Sequence, residues 1–138
     1  MNEAVFVDSG AWIALLFRPD SLHAKTVDYL VAAQQQQRSL VTTSAVLLEV
    51  VDGLSGHGLR YLSQGFRRRI QSLSFCEVVP MDAALFERGW DFFDARADKA
   101  WSLTDCISFV VMQQRGLTDA LAYDQHFAQA GFRALLRE

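Results

Sequence analysis

Four carboxylates, Asp8, Glu49, Asp105 and Asp124, stand where the local pattern of the chain changes. Asp8 directly follows the apolar, β-branched and aromatic run Ala4-Val5-Phe6-Val7, and Asp124 closes the similar run Thr118 to Tyr123. Such runs read as buried strands. In an open parallel sheet the carboxyl ends of strands line the edge where ligands bind. Asp105 lies in the first turn of Ser102 to Gln114, a helical segment apolar on nearly every side, with Phe109 and Met112 on its own face. An ionised carboxylate beside such a surface is costly unless a cation, hydrogen bonds or water compensate. Glu49 sits within the helical stretch Val46 to Val51.

Each residue also has a plainer reading. An aspartate after a strand often caps a turn or the next helix. Ser102 and Asp105 have the spacing of a capping box. Glu49 has Ala45, Asp52 and Gly53 as helical neighbours, a small polar strip that suits a solvent-facing side chain. Together, however, the four have the chemistry of a phosphodiesterase. Carboxylates brought close would repel and could not all ionise without a cation. Magnesium or manganese prefers oxygen ligands and keeps waters, and a metal-bound water of lowered pKa can attack phosphorus in line.

The elements that must position these groups alternate. After the first strand, Ala11 to Phe17 reads as a helix stopped near Pro19, and Asp20 and Ser21 can cap a second helix running to the Gln34–Gln37 tract. Leu40-Val41-Thr42-Thr43 is a strand, and Ser44 can cap the helix Ala45 to Val51. Leu59, Leu62, Phe66, Ile70 and Leu73 recur at spacings of three and four and predict an amphipathic helix. Phe75 to Val79 is a third strand. Asp82 can cap a helix striped by Phe86, Trp90, Phe93 and Ala97. Gly116 ends the buried helix after Ser102, Thr118 to Tyr123 is the fourth strand, and Phe132 to Leu136 makes a short fifth. Strands alternating with helices imply α/β layering with a mainly parallel sheet.

Length and composition fit this reading. The 138 residues suit a single domain, 1–138, with a real core, and 51% hydrophobic with 21% charged residues is ordinary for a globular protein. A net charge of −3 speaks against a passive nucleic-acid coat, though not against an enzyme whose acidic cluster is neutralised by divalent cations. Cys76 and Cys106 lie in apolar surroundings and read as free thiols of a reducing cytoplasm. No apolar stretch approaches the roughly twenty residues needed to span a bilayer, so no membrane partner is expected. The high apolar content, with helices such as Ala11 to Phe17 exceeding what one core covers, points to a homodimer.

A broader pattern emerges when the segments are read in order. Val-Asp-Ser near the N-terminus is followed by a helical glutamate after Thr-Thr-Ser. Then comes Trp101-Ser102-Leu103-Thr104-Asp105-Cys106-Ile107-Ser108-Phe109-Val110-Val111-Met112, then Tyr123-Asp124-Gln125-His126-Phe127, and last Gly131-Phe132. This order resembles PIN-domain proteins of the VapC-like kind over nearly the whole chain, and the stretch from Ser102 to Met112 is the most specific part. The resemblance implies a three-layer α/β/α fold with a parallel sheet and an acidic pocket for magnesium or manganese. Asp8, Glu49, Asp105 and Asp124 match the family's acidic positions, Ser9 and Ser102 match supporting polar ones, and Asp98 lies near enough to be a further candidate. Many relatives are dimeric, single-strand-specific endoribonucleases held inactive by a small antitoxin. Ala122 departs from the Ser or Thr often found two residues before the last aspartate.

Other features carry two readings. Arg60, Arg67 and Arg68 share a helical face with Gln64 and Gln71, as an RNA-backbone surface or a solvated outer face. Lys99 and Trp101 could contact phosphate and stack on a base, though packing is the simpler role for the indole. His23, His57 and His126 share no metal-binding spacing, and none has an obvious general-base partner. Against the toxin nuclease stand a nucleic-acid-binding or interaction module with a vestigial metal site, and a stand-alone RNA-processing nuclease. A receiver-like phosphoacceptor expects a paired acidic motif near the N-terminus and a lysine after a late strand, and neither is found.

Overall fold

The computed structural model describes residues 3–73 and 75–138. Strand β1 (Val5–Val7) leads into α1 (Ser9–Leu16) and α2 (His23–Gln35), and β2 (Leu40–Thr43) into α3 (Ser44–Gly53). After a 3-10 turn at Arg60–Ser63 come α4 (Phe66–Ser72), β3 (Cys76–Val79), α5 (Ala83–Ala95) and α6 (Leu103–Arg115). The chain closes with β4 (Asp119–Leu121), α7 (Gln125–Gln129), β5 (Arg133–Ala134) and a 3-10 turn at Leu135–Arg137. The five strands form one sheet in the order β3-β2-β1-β4-β5, and every pairing is parallel. Successive side chains of a strand face opposite ways, yet Val5, Phe6 and Val7 are all buried. Helices therefore cover both faces of the sheet, as a parallel sheet requires.

The strand order decides where a site can form. From β1 the chain moves outward through β2 to β3, then returns to place β4 on the other side of β1. The direction of winding reverses between β1 and β4, which opens a crevice at their carboxyl ends. Val7 pairs with Leu121, and the backbone N–H of Asp8 donates to the Leu121 carbonyl at 3.2 Å. Helix α6 is the central helix that its composition predicts: all residues from Asp105 to Met112 are buried. It packs closely on α5 because Gly89 has no side chain; a Cβ there would stand 2.4 Å from Ile107 Cγ1.

Several local expectations are corrected. The apolar repeat from Leu59 to Leu73 does not make one helix. Gly65, with φ of 79°, breaks it into the 3-10 turn and α4, whose Phe66 and Ile70 are buried. Helix α3 is capped by Thr43, whose hydroxyl accepts from the Val46 N–H, while Ser44 Oγ accepts from the Met81 N–H and ties α3 to the end of β3. Asp20 does not cap α2; its carboxylate accepts from the Leu22 N–H within the preceding turn. Strand β4 is shorter than its apolar run, so Asp124 stands three residues beyond it. Asp82 and Ser102 cap their helices as expected, and Cys76 and Cys106 are free. The unpartnered apolar surface is not on α1, whose Ala11, Trp12 and Ala14 are buried. Exposed large apolar side chains stand at Val31 on α2, Leu48 and Val51 on α3, and Trp90 and Phe93 on α5, with Tyr61 and Tyr123 outside the α-helices and strands.

Candidate active site

Asp8 begins α1 at the end of the central strand. Its backbone carbonyl accepts from the Ala11 and Trp12 N–H groups, but its carboxylate makes no cap to the helix. The side chain is thus not spent on a helix cap, and the residue is only 6% exposed. Burial pushes its pKa up to about 7, and the charges of Asp105, Glu49 and Asp124 push the same way, partly offset by the backbone N–H of Ser9. All three other predicted carboxylates therefore act on Asp8 through space.

Glu49 is half-buried rather than solvent-facing. Ser9, the first residue of α1, donates its hydroxyl to Glu49 Oε1 at 2.5 Å and so links α1 to α3. Asp105 carries both of the roles open to it. The Ser102 hydroxyl accepts from the Asp105 N–H at 3.0 Å, and Asp105 Oδ2 accepts from the Ser102 N–H at 3.1 Å, which completes the capping box of α6. The same Oδ2 lies 2.9 Å from His126 Nδ1. Asp124 caps α7 by accepting from the His126 N–H at 3.0 Å, and its carboxylate remains 46% exposed.

His126 is the residue that sequence reasoning missed. Its Nδ1 is 2.9 Å from Asp105 Oδ2 and 3.2 Å from Asp124 Oδ1, so one imidazole edge joins the carboxylates of α6 and α7. The available signal was its place in the first turn after Asp124, where a side chain returns toward the cap. Asp98 is not drawn into the cluster. It is exposed and held in a two-bond fork by Arg96, whose hydrogen bonds hold its pKa down at about 2. Trp101 is 4% exposed, packed against Phe92 and Phe109, and donates Nε1–H to Gln129, so it takes the packing role.

The donor set is entirely carboxylate oxygen, which suits a hard divalent cation. Among the described residues no three His, Cys, Asp or Glu groups close into a ready cage; Glu49 is engaged by Ser9, and Asp105 by Ser102 and His126. The fit rests on chemistry: one buried carboxylate is pressed by three others, a charge excess that a cation relieves. Asp8, Ser9 and Asp124 line an open hollow of about 460 Å³ at this edge of the sheet.

A parallel sheet with acidic groups gathered at its switch point defines a class before any individual is compared. Residues 5–133 match the PIN domain, and the chain belongs to that family of nucleases. The 23S rRNA-specific endonuclease VapC20 of Mycobacterium tuberculosis is 28% identical over 131 residues, covering 93% of this chain and 95% of the relative. The crystal structure of VapC20, described as a sarcin–ricin loop cleaving toxin, superposes with a TM-score of 0.81 at 24% identity, covering 95% of this chain and 98% of that one. FitAcB from Neisseria gonorrhoeae gives 0.63 at 16% identity with the same coverage, and both structures share the fold.

Proposed function

We propose that residues 1–138 act as one PIN-like unit, a magnesium- or manganese-dependent endoribonuclease that hydrolyses single-stranded RNA as the toxin of a toxin–antitoxin pair. The observation that carries this is Asp8, buried at the end of the central strand with its charge opposed by Glu49, Asp105 and Asp124. These four would hold the metal, which supplies an activated water and stabilises charge at phosphorus. Ser9 orients Glu49, and the Ser102 capping box with His126 fixes Asp105. RNA as substrate and toxicity as role rest on the likeness to VapC20, whose description names both.

A small antitoxin and a second copy of the chain are the protein partners that this reading expects. Leu48 and Val51 on α3, and Trp90 and Phe93 on α5, are exposed apolar side chains that such partners would cover. The free cysteines accord with a cytoplasmic setting. Among the described residues no helix is long and apolar enough to cross a membrane.

The test is cleavage of mixed-sequence single-stranded RNA with magnesium, compared with duplex RNA and single-stranded DNA. Internal cuts in single-stranded RNA that stop with chelator support the reading. Binding without cutting at any magnesium or manganese concentration would favour an interaction module instead.

A further inference from the structure

The hollow beside the carboxylates contains a feature that metal binding does not need. Besides Asp8, Asp20 and Asp124 it is lined by Tyr123 and Arg137. Tyr123 immediately precedes Asp124, two residues beyond the end of β4, and its large ring is 52% exposed. Arg137 is the only basic residue among those lining the hollow. Its guanidinium carbon lies 5.1 Å from the centre of the Tyr123 ring, and its Nη1 donates to the Tyr123 carbonyl at 2.9 Å.

Arg137 is firmly based. It ends the 3-10 turn whose Leu135 and Leu136 are buried, and the Leu136 N–H donates to the Ala122 carbonyl at 3.1 Å. Like Arg18, Arg60, Arg67, Arg68, Arg69 and Arg88, Arg137 has no ion pair among the described residues, and of these it is the one that lines the hollow. Its remaining N–H donors are thus available beside an acidic edge that would otherwise repel a polyanion.

A single strand crossing these carboxylates must bring its phosphates into that field. A fixed arginine offsets the repulsion, and an exposed ring offers a base a stacking surface without demanding a particular sequence. Resting on the nuclease reading above, we propose that Tyr123 and Arg137 form the subsite for the nucleotide next to the scissile bond. Tyr123 stacks on the base and Arg137 contacts the adjoining phosphate. Trp101, the aromatic residue that the sequence offers for stacking, is buried in the core and leaves this role to Tyr123.

The alternative is that the pair merely fastens the last turn. Binding of a short labelled single-stranded RNA, followed by fluorescence anisotropy with magnesium in an Asp105→Asn background that prevents turnover, separates the two. Tyr123→Ala should weaken binding about tenfold or more while Tyr123→Phe stays close to the parent. Arg137→Gln should weaken binding and reduce the slope of log affinity against log salt by about 0.7, one phosphate contact on a single strand, whereas Tyr123→Ala leaves that slope unchanged. Variants that melt lower yet bind RNA with the parent's affinity and salt slope would overturn the proposal and leave a fastening role. A protein that, with Asp105 intact, neither binds nor cleaves RNA overturns the nuclease reading, and this subsite with it. A protein that cleaves RNA, with Tyr123 and Arg137 variants that bind and cleave equally well, overturns the subsite alone.

Discussion

The Ser9 hydroxyl stands 2.5 Å from Glu49 Oε1, joining the first turn of α1 to the middle of α3. Without this bond, nothing among the described hydrogen bonds turns the glutamate toward the sheet edge. Ser9→Ala should therefore lower kcat/KM for RNA about ten- to a hundredfold, the scale of effect expected from a misplaced group at a reacting centre. Stability should change by only about 1 kcal/mol, since a half-buried glutamate can recover water. Kinetics alongside thermal melting would check both. An unchanged kcat/KM would show that Glu49 needs no such orientation.

Asp8 makes the metal-free protein sensitive to pH. Its folded pKa is pushed up to about 7 from an ordinary value of 3.8. Below pH 4 it is protonated in both folded and unfolded states and contributes nothing. Between pH 4 and 7 the folded state holds a proton that the unfolded state has released, so stability falls as pH rises, and it levels off above 7. With chelator present, Asp8→Asn should melt higher than the parent at pH 8, and the two should converge near pH 4. Magnesium should raise the parent's melting temperature at pH 8 and have little effect on the variant. A parent and variant that melt alike at pH 8 without metal would mean that Asp8 is not strained.

Gly89 tests the packing that holds α6, and with it Asp105, in place. A methyl group at this position would overlap Ile107 Cγ1 and crowd the α6 backbone at Ile107 Cα, 3.3 Å away. Gly89→Ala should destabilise the fold by about 1–3 kcal/mol despite the better helix propensity of alanine. Gly56→Ala, where a Cβ meets nothing within 4 Å, should have little effect. Chemical denaturation of both variants decides the matter.

The sheet edge is legible in the sequence because short β-branched apolar runs read as buried strands, and two of them run up to an aspartate. The prediction worked best at Asp8, where the strand truly ends, and at Ser102 and Asp105, where spacing defines the cap. It was weaker where tertiary structure decides. The apolar run extends to Tyr123, but β4 ends at Leu121, so Asp124 stands three residues beyond the strand as the cap of α7 and Tyr123 is exposed outside the sheet. For Glu49, placed among the site residues, the solvent-facing alternative stays open in the sequence because its partner, Ser9, is forty residues away. His126 has no motif spacing; only the fold of α7 against α6 brings it between two carboxylates. Asp98 was near in sequence, but Arg96 two residues earlier captures it.

The central claim is that four convergent carboxylates hold a catalytic cation, and magnesium-dependent RNA cleavage by Asp105→Asn tests it most directly. Asparagine keeps a carbonyl oxygen to accept from the Ser102 N–H, so the helix cap and the fold should survive, while the charge that would bind the metal is removed. With parent, Asp8→Asn and Asp105→Asn assayed side by side, both variants should lose cleavage to the level of the chelated parent while remaining folded by thermal melting. Full cleavage by a folded Asp105→Asn protein would reduce this residue to a helix cap and contradict the metal centre.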